Sequence, residues 1–270
     1  MAHMLIFGMG YTASAVAARL HARGWQVTGT SRDGRPGTIP FDDQQAILSA
    51  LATATHALST VPPDAAGRDP VLQHYGQALA LSPLAWLGYL SSTGVYGDVG
   101  GAWVDESAPI MGRRAGRNAA DAAWRALRDG VRVFRLPGIY GPGRSAIERV
   151  LAGTAHRVNL PDQVFSRAHV DDIAGAIIAS LHNPETGVFN IADDAPCSQN
   201  WVIEAAAALV GAPCPPLLAL DDPALSPMAR AFYAENRRVA NGRAKRLLGW
   251  APRYADYRAG LAALWRDQPR

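Results

Sequence analysis

Met4-Leu5-Ile6-Phe7-Gly8-Met9-Gly10-Tyr11-Thr12-Ala13 begins as an apolar run, passes through two glycines and reaches an alanine that leads into an alanine-rich stretch from Ser14 to Arg23. The pattern is a strand, a tight turn and a helix start. Gly8 can take a backbone conformation closed to other residues. Gly10 has no side chain to keep a phosphate away from the helix N-terminus, where free N–H groups point outward. Ala13 is small enough for the helix to pack closely on its strand. A G-x-G-x-x-A motif between a strand and a helix is the context that dinucleotide binding requires. Gly8, Gly10, Tyr11 and Thr12 are therefore the expected pyrophosphate contacts.

The next strand, Trp25 to Thr30, ends in Ser31-Arg32. NAD-preferring sites usually place a carboxylate on the ribose 2′-OH about 20 residues beyond the glycines, whereas an arginine there accommodates a 2′-phosphate. The first acid here is Asp33, after Ser31 and Arg32. The expected cofactor is accordingly NADP(H) in preference to NAD(H).

Further along, strands keep alternating with helices. Strands are expected at Thr38–Phe41, His56–Val61, Ala85–Leu90 and Val131–Leu136, and helices at Gln44–Ala52, Pro70–Leu81 and Asn118–Arg128. That alternation predicts an α/β fold, a Rossmann-type doubly wound parallel sheet with helices on both faces and ligands beyond the strands' carboxyl ends. Past Leu136 the rhythm loosens into a turn-rich crossing, Pro137 to Gly143. Helices follow at Ser145–Leu151, Asp171–Leu181 and Ser198–Val210, strands at Ala168–Val170 and Val188–Ile191, a connector at Ala212–Pro227 and a helical tail. We expect a nucleotide-binding domain over residues 1–137, completed by segments near 165–192, and a smaller substrate-binding region over 138–270.

Composition narrows the function. With 270 residues, 49% of them hydrophobic, the chain can bury a full core, which excludes a disordered or fibrous protein. A net charge of +3 with scattered arginines gives little support for nucleic-acid binding. Cys197 and Cys214 suit neither a disulfide framework nor a zinc site, so no metal is expected. The N-terminus enters a strand at once and carries no leader, and no apolar run is long enough to span a membrane, so a cytoplasmic protein is expected.

Leu90-Ser91-Ser92-Thr93-Gly94-Val95-Tyr96-Gly97, taken with the glycine turn, resembles the extended and atypical short-chain dehydrogenase/reductases, the NAD-dependent epimerase/dehydratase-like family. Leu136-Pro137-Gly138-Ile139-Tyr140-Gly141-Pro142-Gly143, Arg167 to Ala174 and Phe189 to Asp194 resemble later motifs of that family. The resemblance covers nearly the whole chain and implies a C-terminal substrate region closing over the cofactor, and a homodimer. It further implies that Thr60, Val61, Pro62, Ser91, Pro137 and Ile139 line the nicotinamide side, that Asp42 is the adenine-side acid, and that Ser92 and Thr93 meet the substrate; Arg144, by its own guanidinium, is expected to hold an anionic substrate group such as a phosphate.

The family's Tyr-x-x-x-Lys pair is missing. The chain has one lysine, Lys245, far downstream. Arg113 stands where the tyrosine is expected and Arg117 where the lysine is expected. Arg117 can still hold a ribose hydroxyl, but a guanidinium, with a pKa above about 12, does not donate a proton near neutrality. Ser92 assists catalysis by the resemblance, and Tyr96 and Tyr140 are the candidate replacement acids. His169 titrates in the right range, though a structural role suits the end of a strand better. Two readings follow: an NADP-dependent oxidoreductase or epimerase-like enzyme acting on a hydroxyl or carbonyl, including nucleotide-sugar-like substrates, with a non-standard proton donor; or a non-catalytic NAD(P)-binding redox sensor or interaction module.

Overall fold

Every residue of β1 (His3–Phe7) is buried, as a strand must be when helices cover both faces of its sheet. A computed structural model describes residues 2–267. After β1 come α1 (Tyr11–His21), β2 (Gln26–Ser31), β3 (Thr38–Pro40), α2 (Gln44–Thr53), β4 (His56–Ser59), α3 (Pro70–Leu81) and β5 (Trp86–Ser92). A 3₁₀ turn over Thr93–Tyr96 leads to β6 (Trp103–Val104), α4 (Ala115–Ala126), β7 (Val131–Leu136) and β8 (Gly138–Tyr140). Then follow α5 (Ala146–Leu151), β9 (Arg157–Val158), β10 (Arg167–His169), α6 (Val170–Leu181) and β11 (Gly187–Asn190). The chain ends with α7 (Gln199–Val210), β12 (Leu217–Leu218), α8 (Pro227–Phe232), β13 (Arg238–Val239), α9 (Gly242–Leu248) and α10 (Tyr257–Arg266).

Seven strands form one parallel sheet in the order β11-β7-β5-β4-β1-β2-β3. The order reverses between β1 and β4, and that switch point opens a crevice at the carboxyl ends of the strands. One face of the sheet packs Val16, Leu20, Ile173 and Ile177 of α1 and α6. The other face packs Ile47, Val71, Tyr75, Leu79 and Trp124 of α2, α3 and α4. A further apolar cluster joins α5, α7 and α10 through Ile147, Ile203 and Leu261. The doubly wound sheet expected from sequence is thus the observed architecture.

Differences lie at element edges. α1 begins at Tyr11 rather than Ser14, because Gly10 is itself the N-cap, so the helix N-terminus sits directly on the glycine turn. α4 begins at Ala115, three residues before the expected Asn118. The crossing after Leu136 contains β8, which pairs with β10, and two-residue strands pair β9 with β12 and β6 with β13. Such short ladders are set by distant partners and leave no local periodicity.

Asp69 joins the α3 and α4 layers. Its Oδ1 accepts from Leu72 N at 3.0 Å as the α3 N-cap, and its Oδ2 accepts from Trp124 Nε1 at 2.8 Å. Asp69→Ala removes both acceptors and should lower the unfolding free energy by about 2–4 kcal/mol. Asp69→Asn keeps one acceptor and should cost about 1 kcal/mol. Urea denaturation of the two variants measures the difference.

Candidate functional site

The glycine turn is built from both ends. Gly8 has φ +87, and a Cβ there would lie 2.8 Å from Val61 Cγ2. Its N–H donates to Thr30 Oγ1 at 3.0 Å, and its carbonyl accepts from Thr60 Oγ1 at 2.5 Å. The end of β2 and the residues just after β4 therefore clamp the turn between them. Gly10 has nothing within 4 Å of a built Cβ, and α1 begins there without a side-chain cap. Its first-turn N–H groups face an open cradle, and the α-helix dipole favours an anion in it. Ala13 is fully buried against the sheet. Tyr11 donates to Pro142 O at 3.0 Å, and the Arg144 guanidinium lies 5.7 Å from the centre of its ring. Val61 is half-buried beside the turn, Thr12 is buried and Pro62 is exposed.

At the end of β2 the Ser31 hydroxyl meets Thr38 Oγ1 at 2.7 Å and accepts from Arg35 N at 3.1 Å. Arg32 is exposed. Arg35, which the sequence reading passed over, folds back so that its guanidinium donates to the Met9 carbonyl of the glycine turn. Arg35 thus ties the loop after β2 to the glycine turn. The only local signal for Arg35 was its loop position, and a contact across 26 residues cannot be read from spacing. Asp42 is exposed and is not the α2 cap; Asp43 is, accepting from Ala46 N at 3.0 Å.

Beyond β5 the expected residues separate into two groups. Ser92 Oγ accepts from Gly94 N at 3.1 Å, and Ser92, Thr93, Arg117, Pro137 and Ile139 together line a cleft of about 760 Å³. Ser91 instead points inward and donates to Asp121 Oδ2 at 2.6 Å. Asp121 also holds Arg135 through Nε at 3.0 Å and Nη2 at 2.7 Å, a bidentate pair buried on both sides. Arg135 Nη1 donates to the Tyr96 hydroxyl at 3.0 Å, and that hydroxyl donates to Asn190 Oδ1 at 2.7 Å. Tyr96 is fully buried and burial pushes its phenol up, so it braces the interior and does not face the cleft. The sequence reading of Tyr96 as an acid gives way to this structural role.

Tyr140 joins the cleft wall, but its hydroxyl is buried without a partner among the described residues, lodged against Gly260 of α10 where any side chain would collide with it. Burial pushes this phenol far above neutrality, which suits packing better than proton transfer. His169 caps α6 by accepting from Asp171 N at 3.2 Å, and burial lowers its pKa.

Seven arginines line the cleft against two glutamates. Both glutamates are already engaged. Glu148 forms a capping box with Ser145, and Glu235 is held by Arg113 at 3.2 Å and Arg237 at 2.8 Å. Arg117, Arg144 and Arg149 have no carboxylate partner among the described residues. The cleft therefore attracts anions. Arg113 does not act as a stand-in tyrosine; it reaches across the cleft mouth to Glu235 and the Ala231 carbonyl. Among the described residues no acid, histidine and cysteine cluster could hold a metal, and no helix is long and apolar enough to cross a membrane.

The chain is similar in sequence and fold to several known proteins. No family model matches the chain. Protein YeeZ of Escherichia coli strain K12 is 31% identical over 252 residues, covering 78% of this chain and 85% of its own. A 3-diazoavenalumate denitrifying reductase from a Streptomyces species is 27% identical, covering 93% of this chain and 96% of its own. Among solved structures, a functionally unknown conserved protein from Silicibacter pomeroyi shares 41% identity over the full length of both chains, with a TM-score of 0.88. The human epimerase family protein SDR39U1, solved with NADPH, covers 98% of this chain and 100% of its own at 18% identity and a TM-score of 0.77.

One group near the cleft makes stability depend on pH. Asp193 is buried, and its Oδ2 has no partner among the described residues. Burial pushes its carboxyl from 3.8 up to about 7. Between those values the folded chain keeps a proton that the unfolded chain releases. Its contribution to stability is full below the lower value and is lost as pH rises through the upper one. Asp193→Asn should therefore be more stable than the parent at about pH 8, with the advantage shrinking as pH falls and levelling off below about 4. Urea midpoints across that range test the sign.

Proposed function

The chain belongs to the short-chain dehydrogenase/reductases of the NAD-dependent epimerase/dehydratase-like group, lacking their Tyr-x-x-x-Lys pair, and on that premise we propose an NADP-dependent oxidoreductase acting on a hydroxyl or carbonyl carbon of an anionic small molecule. The observation that carries this reading is the bare Gly10 cradle at an uncapped helix N-terminus, opening on the crevice where the strand order reverses. The pyrophosphate fits there. Ser31, Arg32 and Arg35 suit a 2′-phosphate through charge-assisted hydrogen bonds, and the carboxylate just beyond β2, Asp33, already accepts from the Ser31 hydroxyl at 3.2 Å. Arg117, Pro137 and Ile139 suit the nicotinamide end. Bound NADPH would supply hydride; the chain supplies binding, orientation and positive charge.

The cleft supports a substrate with a phosphate or carboxylate, since its arginines outnumber its acids. Nucleotide-sugar-like compounds meet that requirement, and a solved neighbour at 21% identity, MoeE5, was crystallised with UDP-glucuronic acid and NAD. The 27%-identical relative is named as a reductase, which favours turnover over a purely sensory role. We further infer that the cluster of α5, α7 and α10 forms the substrate side, with residues 1–137 and the strands returning near 165–192 forming the cofactor side. NADPH consumption with a panel of anionic carbonyl compounds tests turnover. Tight binding of one redox form with no consumption across the panel would instead mark a sensor.

Two glycine variants separate binding from folding. Gly10→Ala has a compatible backbone, φ −86, and open space, so stability should change little while NADP⁺ binding is lost because the methyl fills the cradle. Gly8→Ala meets a positive φ and Val61, so it should destabilise the fold by about 1–3 kcal/mol. Thermal melts with and without NADP⁺ distinguish the two. Arg35→Ser should weaken NADP⁺ about tenfold, one charge-assisted hydrogen bond's worth, and leave NAD⁺ unchanged. Fluorescence titration with both dinucleotides checks that shift.

A further inference from the structure

Gly94 separates two groups that the cofactor reading leaves without a task. A Cβ built on it would lie 3.3 Å from Ser92 Oγ and 3.8 Å from Arg237 Nη2. With no side chain at Gly94, the serine hydroxyl and the guanidinium both border its bare backbone in the cleft wall. Ser92 Oγ accepts from Gly94 N at 3.1 Å and makes no other hydrogen bond among the described residues, so its O–H is free to donate. Arg237 is fixed through Nη1, which donates to Gly97 O and to Glu235 Oε2, both at 2.8 Å. Its Nη2 has no hydrogen-bond partner among the described residues. Glu235 is fixed in turn by Arg113 Nε at 3.2 Å.

Arg113, at the position of the family's tyrosine, thus holds a carboxylate that holds a second arginine beside Ser92. The three side chains carry one net positive charge, and its free donor faces the cleft. We propose that Arg237 is a catalytic residue, which with Ser92 binds the substrate oxygen and stabilises the oxyanion by fixed charge in place of a proton donor. Arg113 and Glu235 are its positioning residues.

This proposal rests on the oxidoreductase reading above. In the reductive direction the carbonyl carbon takes the hydride and its π pair moves onto the oxygen. The alkoxide forms between the Ser92 O–H and the Arg237 Nη2–H, while the cofactor is oxidised. Water entering the cleft then protonates the alkoxide, and the hydroxide formed passes to solvent. A guanidinium suits this task because it stays charged at any working pH and needs no reorganisation when charge develops.

Sulfite tests the site without knowledge of the substrate. Its sulfur lone pair adds to C4 of the NADP⁺ nicotinamide with no proton transfer, placing a sulfonate where the substrate oxygen would lie, and the adduct is followed by its near-ultraviolet absorbance. With the full chain saturated in NADP⁺, Arg237→Ala should weaken sulfite about 100-fold, the usual cost of one oxyanion donor. NADP⁺ affinity should not change, free guanidinium ion should restore the adduct, and Arg237→Lys should retain part of it. Adduct formation by Arg237→Ala equal to the parent's overturns the proposal, as does a loss that guanidinium fails to restore, which would make Arg237 structural. A parent that binds NADP⁺ but forms the adduct no better than free NADP⁺ overturns the role of Arg237 while the cofactor reading stands. A parent that binds no NADP⁺ overturns both.

Discussion

The buried pair of Arg135 and Asp121 is the constraint on which the site depends. Arg135 comes from β7 and Asp121 from α4, and the pair also takes in Ser91 of β5 and Tyr96 of the following turn. One bidentate contact therefore locks the strand end that presents Ser92 to the helix that presents Arg117. Burying two charges is costly unless their hydrogen bonds are satisfied. Here the carboxylate accepts from Arg135 and Ser91, and the guanidinium also donates to Tyr96. Losing either charge would leave the other uncompensated in the core.

Fixed positive charge recurs outward from that pair. Arg113 and Arg237 share Glu235 across the cleft mouth, Arg117 projects from the first turn of α4, and Arg35 reaches back from the loop after β2 to the glycine turn. A tyrosine and lysine would have supplied a titrating acid at the centre. This chain supplies guanidiniums, which bind and polarise but do not exchange protons near neutrality. That difference in chemistry follows from having 25 arginines and a single lysine.

Much of this was legible in the sequence because it rests on local rules. Gly8, Gly10 and Ala13 gave the turn, the strand and helix alternation gave the sheet, and the missing lysine was plain from the composition. What escaped were contacts between segments far apart in the chain. Ser91 and Tyr96 read as cleft residues from their motif, yet a two-residue periodicity and a buried arginine turn them inward. Asp42 and Asp43 are adjacent acids, and only the helix geometry decides which one caps α2. Glu235 and Arg237 lie in a stretch with no motif, and their position beside Ser92 depends on the β13 and β6 pairing, separated by 135 residues at Arg238 and Trp103.

The most direct measurement is the phosphorus NMR spectrum of NADP⁺ bound to the full chain, followed as a function of pH. The account predicts pyrophosphate resonances distinct from those of the free dinucleotide, through contact with the α1 N-terminus. It also predicts a 2′-phosphate that stays dianionic well below its usual second pKa of about 6, held by Arg32 and Arg35. A 2′-phosphate that titrates as in free solution, beside unshifted pyrophosphate signals at saturating protein, would contradict it.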